Sequence, residues 1–193
     1  MKSICVFCGS SKGKDPYHAE KAYELGALLA EMKIKLIFGG SKLGLMGQVA
    51  QGVLDNDGEV VGVIPKFLAR KEVAHDGLKQ LILVKTMHER KMTMSELADG
   101  FIALPGGFGT LEELCEILTW AQLQLITAPV GVLNLKGYYD NLDQLLRRML
   151  DEEFLKPANY DLLIHEDEPK YLIQRMMLYE PPKESFWSKL DLT

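Results

Sequence analysis

The sequence contains little cysteine. Three cysteines occur among 193 residues, and an odd number without a secretory pattern favours reduced thiols over a disulfide framework. Cys5 and Cys8 form a C-x-x-C pattern. If the segment around them is a strand, however, residues three positions apart point to opposite faces of the sheet. We therefore interpret both as small buried hydrophobic side chains, with a redox role as the alternative.

Long hydrophobic runs are also missing. No apolar segment approaches the length of a membrane span, and the N-terminal stretch MKSICVFCGSS lacks the long apolar core and cleavage site of a signal peptide. We expect a cytoplasmic protein that does not bind membranes.

The sequence has no excess of basic residues. Its formal net charge is −5, and the lysines and arginines are scattered, so the charge pattern of a nucleic-acid-binding domain is absent. The four histidines stand without the paired spacing of a zinc site. We expect neither a nucleic-acid partner nor a metal ion.

Short β-branched runs alternate with longer amphipathic segments, which is typical of βαβ units around a parallel sheet. The sequence therefore predicts one α/β domain over residues 1–193, a Rossmann-like three-layer sandwich with a parallel sheet flanked by helices. The predicted strands are Ile4–Cys8, Lys35–Phe38, Val60–Ile64, Leu81–Val84, Gly100–Leu104, Val130–Leu133 and Leu162–His165. The predicted helices are Pro16–Met32, Leu45–Asp55, Met87–Ala98, Thr110–Leu123, Tyr139–Glu152 and Pro169–Tyr179. The connection Pro65–Leu78 is expected to be either a lid or a short irregular helix.

Glycine-rich loops follow three of these strands: CGSS, FGGSKLGLMG and PGGFGT. The carboxyl ends of parallel strands meet at one edge of the sheet, where open α/β folds bind ligands. Bare backbone amides next to helix N-termini suit an anionic group. The spacing matches neither the dinucleotide fingerprint nor the Walker loop, so the loops predict an anion site without naming its ligand.

Two charged residues stand out around the third loop. Thr110 and Glu113 fit the capping box [ST]-x-x-E, which predicts Thr110 as a helix N-cap with Glu113 bonded back to it. Catalysis by Glu113 is the alternative. In the segment MHERK, Arg90 is suited to grip a phosphate or carboxylate, although a solvated helix face is the usual interpretation of such charges.

The combination of MHERK with PGGFGTLEE resembles the Lonely Guy (LOG) family of cytokinin-activating phosphoribohydrolases. That family's motif P-G-G-x-G-T-x-x-E is matched from Pro105 to Glu113. The resemblance also takes in CGSS, FGGSKLGLMG and TWAQ, and so extends to about residue 134.

The resemblance implies hydrolysis of the N-glycosidic bond of AMP or an N6-substituted AMP, without a cofactor. It implies Arg90 and Glu113 as the catalytic pair. Arg90 either anchors the phosphate or ribose, or keeps Glu113 ionised by lowering its pKa. The residues expected to hold the nucleotide are Ser10, Gly39, Gly40, Ser41, Met87, Lys91, Gly106, Gly107, Gly109 and Thr110.

Two other functions remain open. One is a non-catalytic nucleotide carrier or sensor, since a fold does not fix a function; the other is a general nucleoside-monophosphate glycosidase of purine salvage. The broad apolar run LCEILTWAQLQLI favours a homodimer, as in the family. The tail after Pro182 is expected to fray or to dock on a partner subunit.

Overall fold

The computed structural model describes residues 1–69 and 73–182. The C-terminal tail and the middle of the predicted lid segment, on which two sequence predictions fall, lie outside these residues.

The described residues form a seven-stranded parallel sheet in the order β4-β3-β2-β1-β5-β6-β7. The strands are β1 Ser3–Phe7, β2 Lys35–Phe38, β3 Val60–Pro65, β4 Gln80–Val84, β5 Phe101–Ala103, β6 Val130–Leu133 and β7 Leu163–Glu166. All seven predicted strands are therefore present. The sheet is buried on both faces at its centre, where every residue of β1 and β3 is buried. Such burial explains why these segments read as nearly continuous apolar runs.

Helices cover both faces of the sheet. Their bounds are α1 Pro16–Glu31, α2 Gly44–Leu54, α3 Lys66–Leu68, α4 Met87–Glu96, α5 Phe108–Gln122, α6 Asp140–Asp151, α7 Pro157–Tyr160 and α8 Pro169–Met177. One apolar core lies between the sheet and α1, α2 and α8. The other lies between the sheet and α4, α5 and α6. The three-layer prediction is confirmed.

Local chemistry explains where α1 begins and which face it buries. Asp15 is the N-cap, accepting a hydrogen bond from the Tyr17 N–H at 3.0 Å, and Pro16 occupies the first helical position. The buried residues Ala22, Leu25 and Leu29 recur at helical spacing and form the stripe that packs on the sheet.

In the described part of Pro65–Leu78, the short α3 spans Lys66–Leu68 and none of its residues is buried, so the choice between a lid and an irregular helix stays a prediction. Further along, Ala74 forms an isolated antiparallel bridge with Ser41, and the His75 N–H donates to the Gly40 carbonyl at 2.9 Å. The described part of this connection is therefore tied to the loop after β2.

The cysteine interpretation is confirmed. Cys5 and Cys8 are buried in the two different cores, on opposite sides of β1, and burial raises the pKa of both thiols. Cys115 lies exposed on α5. Among the described residues no helix is long and apolar enough to cross a membrane. The same residues hold no cluster of three or more His, Cys, Asp or Glu side chains suited to a metal ion.

Candidate active site

The direction of chain connection reverses at the centre of the sheet. Strand β1 lies between β2 and β5, so the loops that follow β1 and β5 leave the sheet side by side, and a crevice opens between them. The Gly9 N–H donates to the Pro105 carbonyl at 3.0 Å and joins the two loops. A cavity of about 300 Å³ lies at this edge, which is at the lower end of the range typical of small-molecule sites, roughly 300–1,000 Å³.

Helix α4 carries Arg90 into this cavity. Thr86 is the N-cap, and its hydroxyl accepts a hydrogen bond from the Glu89 N–H at 3.1 Å. The Glu89 carboxylate in turn accepts from the Lys85 N–H at 2.7 Å. These contacts fix the first turn of α4, and Arg90 follows directly after it. The Arg90 side chain is buried, and its Nε donates to the Val63 carbonyl at 3.2 Å. The guanidinium is thus oriented by the end of β3.

Helix α5 carries Glu113 to the same place. Glu113 is only 7% exposed, and its Oε1 accepts a hydrogen bond from Arg90 Nη1 at 2.7 Å. The capping-box prediction is wrong, because α5 begins at Phe108 and its N-cap is Gly107. Thr110 therefore lies inside the helix, and the Glu113 carboxylate is directed to a partner on another helix. Glu113 faces the cavity as the catalytic alternative requires.

The net shift of the Glu113 pKa does not fit one of the two roles considered for Arg90, that of keeping this pKa low. Burial raises the pKa of the Glu113 carboxyl, and the Arg90 charge and hydrogen bond oppose this rise. The net direction is upward, so Arg90 offsets the cost of burying the carboxylate without lowering its pKa below the ordinary value. A buried ion pair of this kind is weak evidence for stability, and breaking it by removing one partner is costly.

Two glycines are required by close contacts at this site. A Cβ added to Gly39, at the start of the loop after β2, would lie 2.1 Å from Arg90 Nη2. A Cβ on Gly106 would lie 2.1 Å from the Thr110 hydroxyl oxygen and 2.9 Å from the Gly9 nitrogen. Bare backbone at Gly39 makes room for the guanidinium, and at Gly106 it lets the two loops approach each other.

The structure brings together most of the residues expected to hold a nucleotide. Those lining the cavity with Arg90 and Glu113 are Ser10, Gly39, Met87, Gly107, Gly109 and Thr110.

A second cavity of about 440 Å³ lies on the other side of the joined loops. Ser10, Gly106 and Gly107 line it, together with Tyr138, whose hydroxyl donates to the Gly106 carbonyl at 2.5 Å. Tyr138 therefore fixes the Gly106 carbonyl at the edge of the second cavity.

Three predicted contacts line neither cavity. Gly40 accepts from the His75 N–H, and the Ser41 hydroxyl accepts from the Leu43 N–H at 3.1 Å, so both serve the loop after β2. Lys91 makes ion pairs with Glu112 and Glu116 on α5. Their contact with a nucleotide stays a prediction.

The cavity is also lined by side chains that were not among the predicted contacts, notably Met46, Phe108 and Glu112. Phe108 is 94% exposed, at the first position of α5. Phe108 and Glu112 lie inside the recognised motif, so the motif signalled their neighbourhood without indicating a role. Met46 likewise lies inside the quoted loop FGGSKLGLMG, which indicated the neighbourhood but not this side chain.

Comparison with known proteins identifies the family. A protein-family model described as "Possible lysine decarboxylase" matches residues 46–176. The chain is 45% identical over 190 residues to the cytokinin riboside 5'-monophosphate phosphoribohydrolase LOG7 of Arabidopsis thaliana, covering 98% of this chain and 88% of that protein. It is 41% identical over 191 residues to a probable enzyme of the same name, LOGL6, from Oryza sativa subsp. japonica, covering 99% and 76%.

Solved structures share the fold at low sequence identity. The molybdenum cofactor binding protein of Rippkaea orientalis aligns with a TM-score of 0.69 at 22% identity, covering 92% of this chain and 97% of that one. The molybdenum cofactor carrier protein of Chlamydomonas reinhardtii aligns with a TM-score of 0.68 at 17% identity, covering 92% and 98%. Sequence identity over nearly the whole chain, together with the match to the family model, shows that the chain belongs to the Lonely Guy family.

Proposed function

We propose that this protein is a phosphoribohydrolase that cleaves AMP or N6-substituted AMP into the free base and ribose 5-phosphate. The observation that carries the proposal is the buried Arg90–Glu113 ion pair in a cavity bordered by glycine loops. Relatives 41–45% identical that are named for this activity support it.

In the proposed reaction, the bond between C1' of the ribose and the purine nitrogen breaks, and its electron pair leaves with the base. The oxygen of a water molecule bonds to C1', and a proton reaches the departing base. The transition state resembles an oxocarbenium ion, which a nearby carboxylate stabilises. Glu113 Oε1 is bound to Arg90, so we assign Oε2 to the sugar or the attacking water. Water is the only co-reactant.

Arg90 has a donor available for the substrate. Its Nη1 binds Glu113 and its Nε binds the Val63 carbonyl. Among the described residues no group accepts a hydrogen bond from Nη2, which lies against Gly39. We assign Nη2 to an oxygen of the phosphate or ribose, where a fixed guanidinium holds the sugar in register with Glu113.

The start of α5 is the proposed phosphate site. The helix has 15 residues, and no side chain caps its first N–H groups. Gly107 and Gly109 line the cavity here, and a Cβ on either would meet nothing within 4 Å. Unpaired amides and the positive end of a helix dipole favour an anion, and Ser10 across the cavity adds a hydroxyl donor.

The test is to incubate the purified protein with AMP and with N6-isopentenyl-AMP and to measure released base by chromatography. Arg90→Ala and Glu113→Gln serve as inactive controls. We expect base from the N6-substituted nucleotide and loss of release in both variants. Tight nucleotide binding without release would support the carrier alternative. Release from AMP alone would support the salvage glycosidase.

We also propose a homodimer in the cytoplasm. Exposed apolar side chains that a second copy could cover lie on and just after α4, on the edge strand β4 and after α5: Leu83, Met92, Leu97 and Leu125. The three thiols are unpaired, as expected in a reducing compartment. Light scattering at micromolar concentration that returns the monomer mass would contradict the dimer.

A further inference from the structure

A second set of ion pairs joins the same two helices as the Arg90–Glu113 pair. Lys91, the residue after Arg90 on α4, contacts Glu112 at 2.5 Å and Glu116 at 3.0 Å on α5. The Lys91 side chain is only 10% exposed, whereas that of Glu112 is 57% exposed. The lysine is thus packed between the helices, and the glutamate at its end reaches toward solvent.

Glu112 would compete with the substrate for the Arg90 guanidinium unless it were held elsewhere. It lies next to Glu113 in the sequence and lines the cavity that contains Arg90. Two adjacent carboxylates therefore border the space around one guanidinium, which has an unused terminal nitrogen. The proposed chemistry requires this nitrogen for substrate. A Glu112 carboxylate bound there would block the substrate and add a second negative charge beside Glu113.

We propose that Lys91 is a positioning residue: by binding Glu112 and Glu116, it keeps Glu112 away from Arg90 and reserves the guanidinium for Glu113 and the substrate. This inference rests on the proposed function and differs from the expected role of Lys91 as a nucleotide contact. A lone exposed ion pair contributes little to stability. A nearly buried lysine shared between two carboxylates on the neighbouring helix fixes the position of Glu112 more firmly.

The charges around Glu113 support this role. The groups that act on or face it are Arg90 and Lys91 from α4, Glu112 from its own helix, Cys5 from β1, and Cys8 directly after β1. Lys91 lowers the pKa of Glu113 and Glu112 raises it. Removing Lys91 alone leaves the Glu112 charge uncompensated, so the pKa of Glu113 rises. Removing both charges cancels much of this change.

The experiment compares Lys91→Met, Glu112→Gln and the double variant by kcat and KM for AMP across pH. We expect Lys91→Met to lower kcat/KM about tenfold or more, with KM raised because Glu112 then competes with the substrate for Arg90, and to move the acidic limb of the pH profile to higher pH. Adding Glu112→Gln should restore most of kcat/KM and return the limb toward that of the unmodified protein, because the competing carboxylate is gone. Glu116→Gln is the matched control, since Lys91 keeps Glu112 in that variant.

A lysine that only stabilised the fold would not be rescued by a second substitution. A double variant as impaired as Lys91→Met would therefore overturn the proposal. A raised KM that persists in the double variant would make Lys91 a substrate contact and would overturn it as well. A crystal structure of Lys91→Met tests the idea without turnover: the Glu112 carboxylate should bind Arg90, and a Glu112 that stays away from it contradicts us. Absence of any base release by the unmodified protein would instead refute the proposed function.

Discussion

Replacing Gly39 by alanine is expected to disable the site without removing any functional group. The added Cβ would lie 2.1 Å from Arg90 Nη2 and 3.2 Å from its Cζ. Ordinary contact begins near 3.4 Å, so the guanidinium must move by roughly 1 Å or more. Met46 Sδ, at 3.0 Å from the same Cβ, adjusts more easily because the side chain is flexible.

The effect of such a displacement on the reaction rate can be estimated. Misplacing a catalytic group by about 1 Å costs about 10²-fold in rate, which corresponds to roughly 2.7 kcal/mol of transition-state stabilisation. The assay is kcat/KM for base release, measured on Gly39→Ala protein whose circular dichroism and melting temperature are recorded in parallel.

A double-mutant cycle with Arg90→Ala locates the cause. If the new methyl acts through Arg90, then Gly39→Ala adds little further loss in a protein that already lacks the guanidinium. This reasoning would be refuted if the fold-losses of kcat/KM from Gly39→Ala and Arg90→Ala multiply in the double variant. It would also be refuted if Gly39→Ala keeps its full kcat/KM.

Four further outcomes are expected. Arg90→Ala and Glu113→Gln should each lower kcat/KM by about 10³-fold, roughly 4 kcal/mol; full activity in either would exclude that residue from the chemistry. Because burial raises the pKa of Glu113, the carboxylate is protonated at a higher pH than an exposed glutamate. Hence kcat/KM should fall with decreasing pH along a limb above 4.5, the ordinary value, and a pH–rate profile that is flat down to 4.5 would contradict this. Phe108→Ala should raise KM about tenfold, roughly 1.4 kcal/mol, because an exposed aromatic at the cavity mouth is suited to stack on a base; titration calorimetry with AMP checks it. Thr86→Ala removes the N-cap of α4 and should lower the free energy of unfolding by about 1 kcal/mol in urea denaturation, while most of the activity remains.

Local patterns in the sequence were sufficient to predict the fold. The seven predicted strands match those observed to within one residue at every end, because buried parallel strands leave continuous β-branched runs such as VVGVIP. The position of the glycine loops at one sheet edge follows from the same alternation.

The details of the site depend on contacts between distant residues. The pattern T-x-x-E occurs at Thr86, Thr93 and Thr110, and only Thr86 is a helix N-cap. Thr110 differs because Glu113 reaches Arg90, 23 positions away, and α5 begins before Thr110. Lys91 likewise pairs with carboxylates more than 20 positions away, which no local spacing indicates.

The distribution of thiols makes this protein easy to label. Cys5 and Cys8 are enclosed on either side of the central strand, whereas Cys115 is exposed on the helix that bears Glu113. Burial raises the pKa of Cys115 as well, so a maleimide probe should react there slowly at neutral pH and faster in mild alkali. A fluorophore attached at Cys115 would lie on the exposed side of the helix whose buried side carries Glu113, with no engineered cysteine.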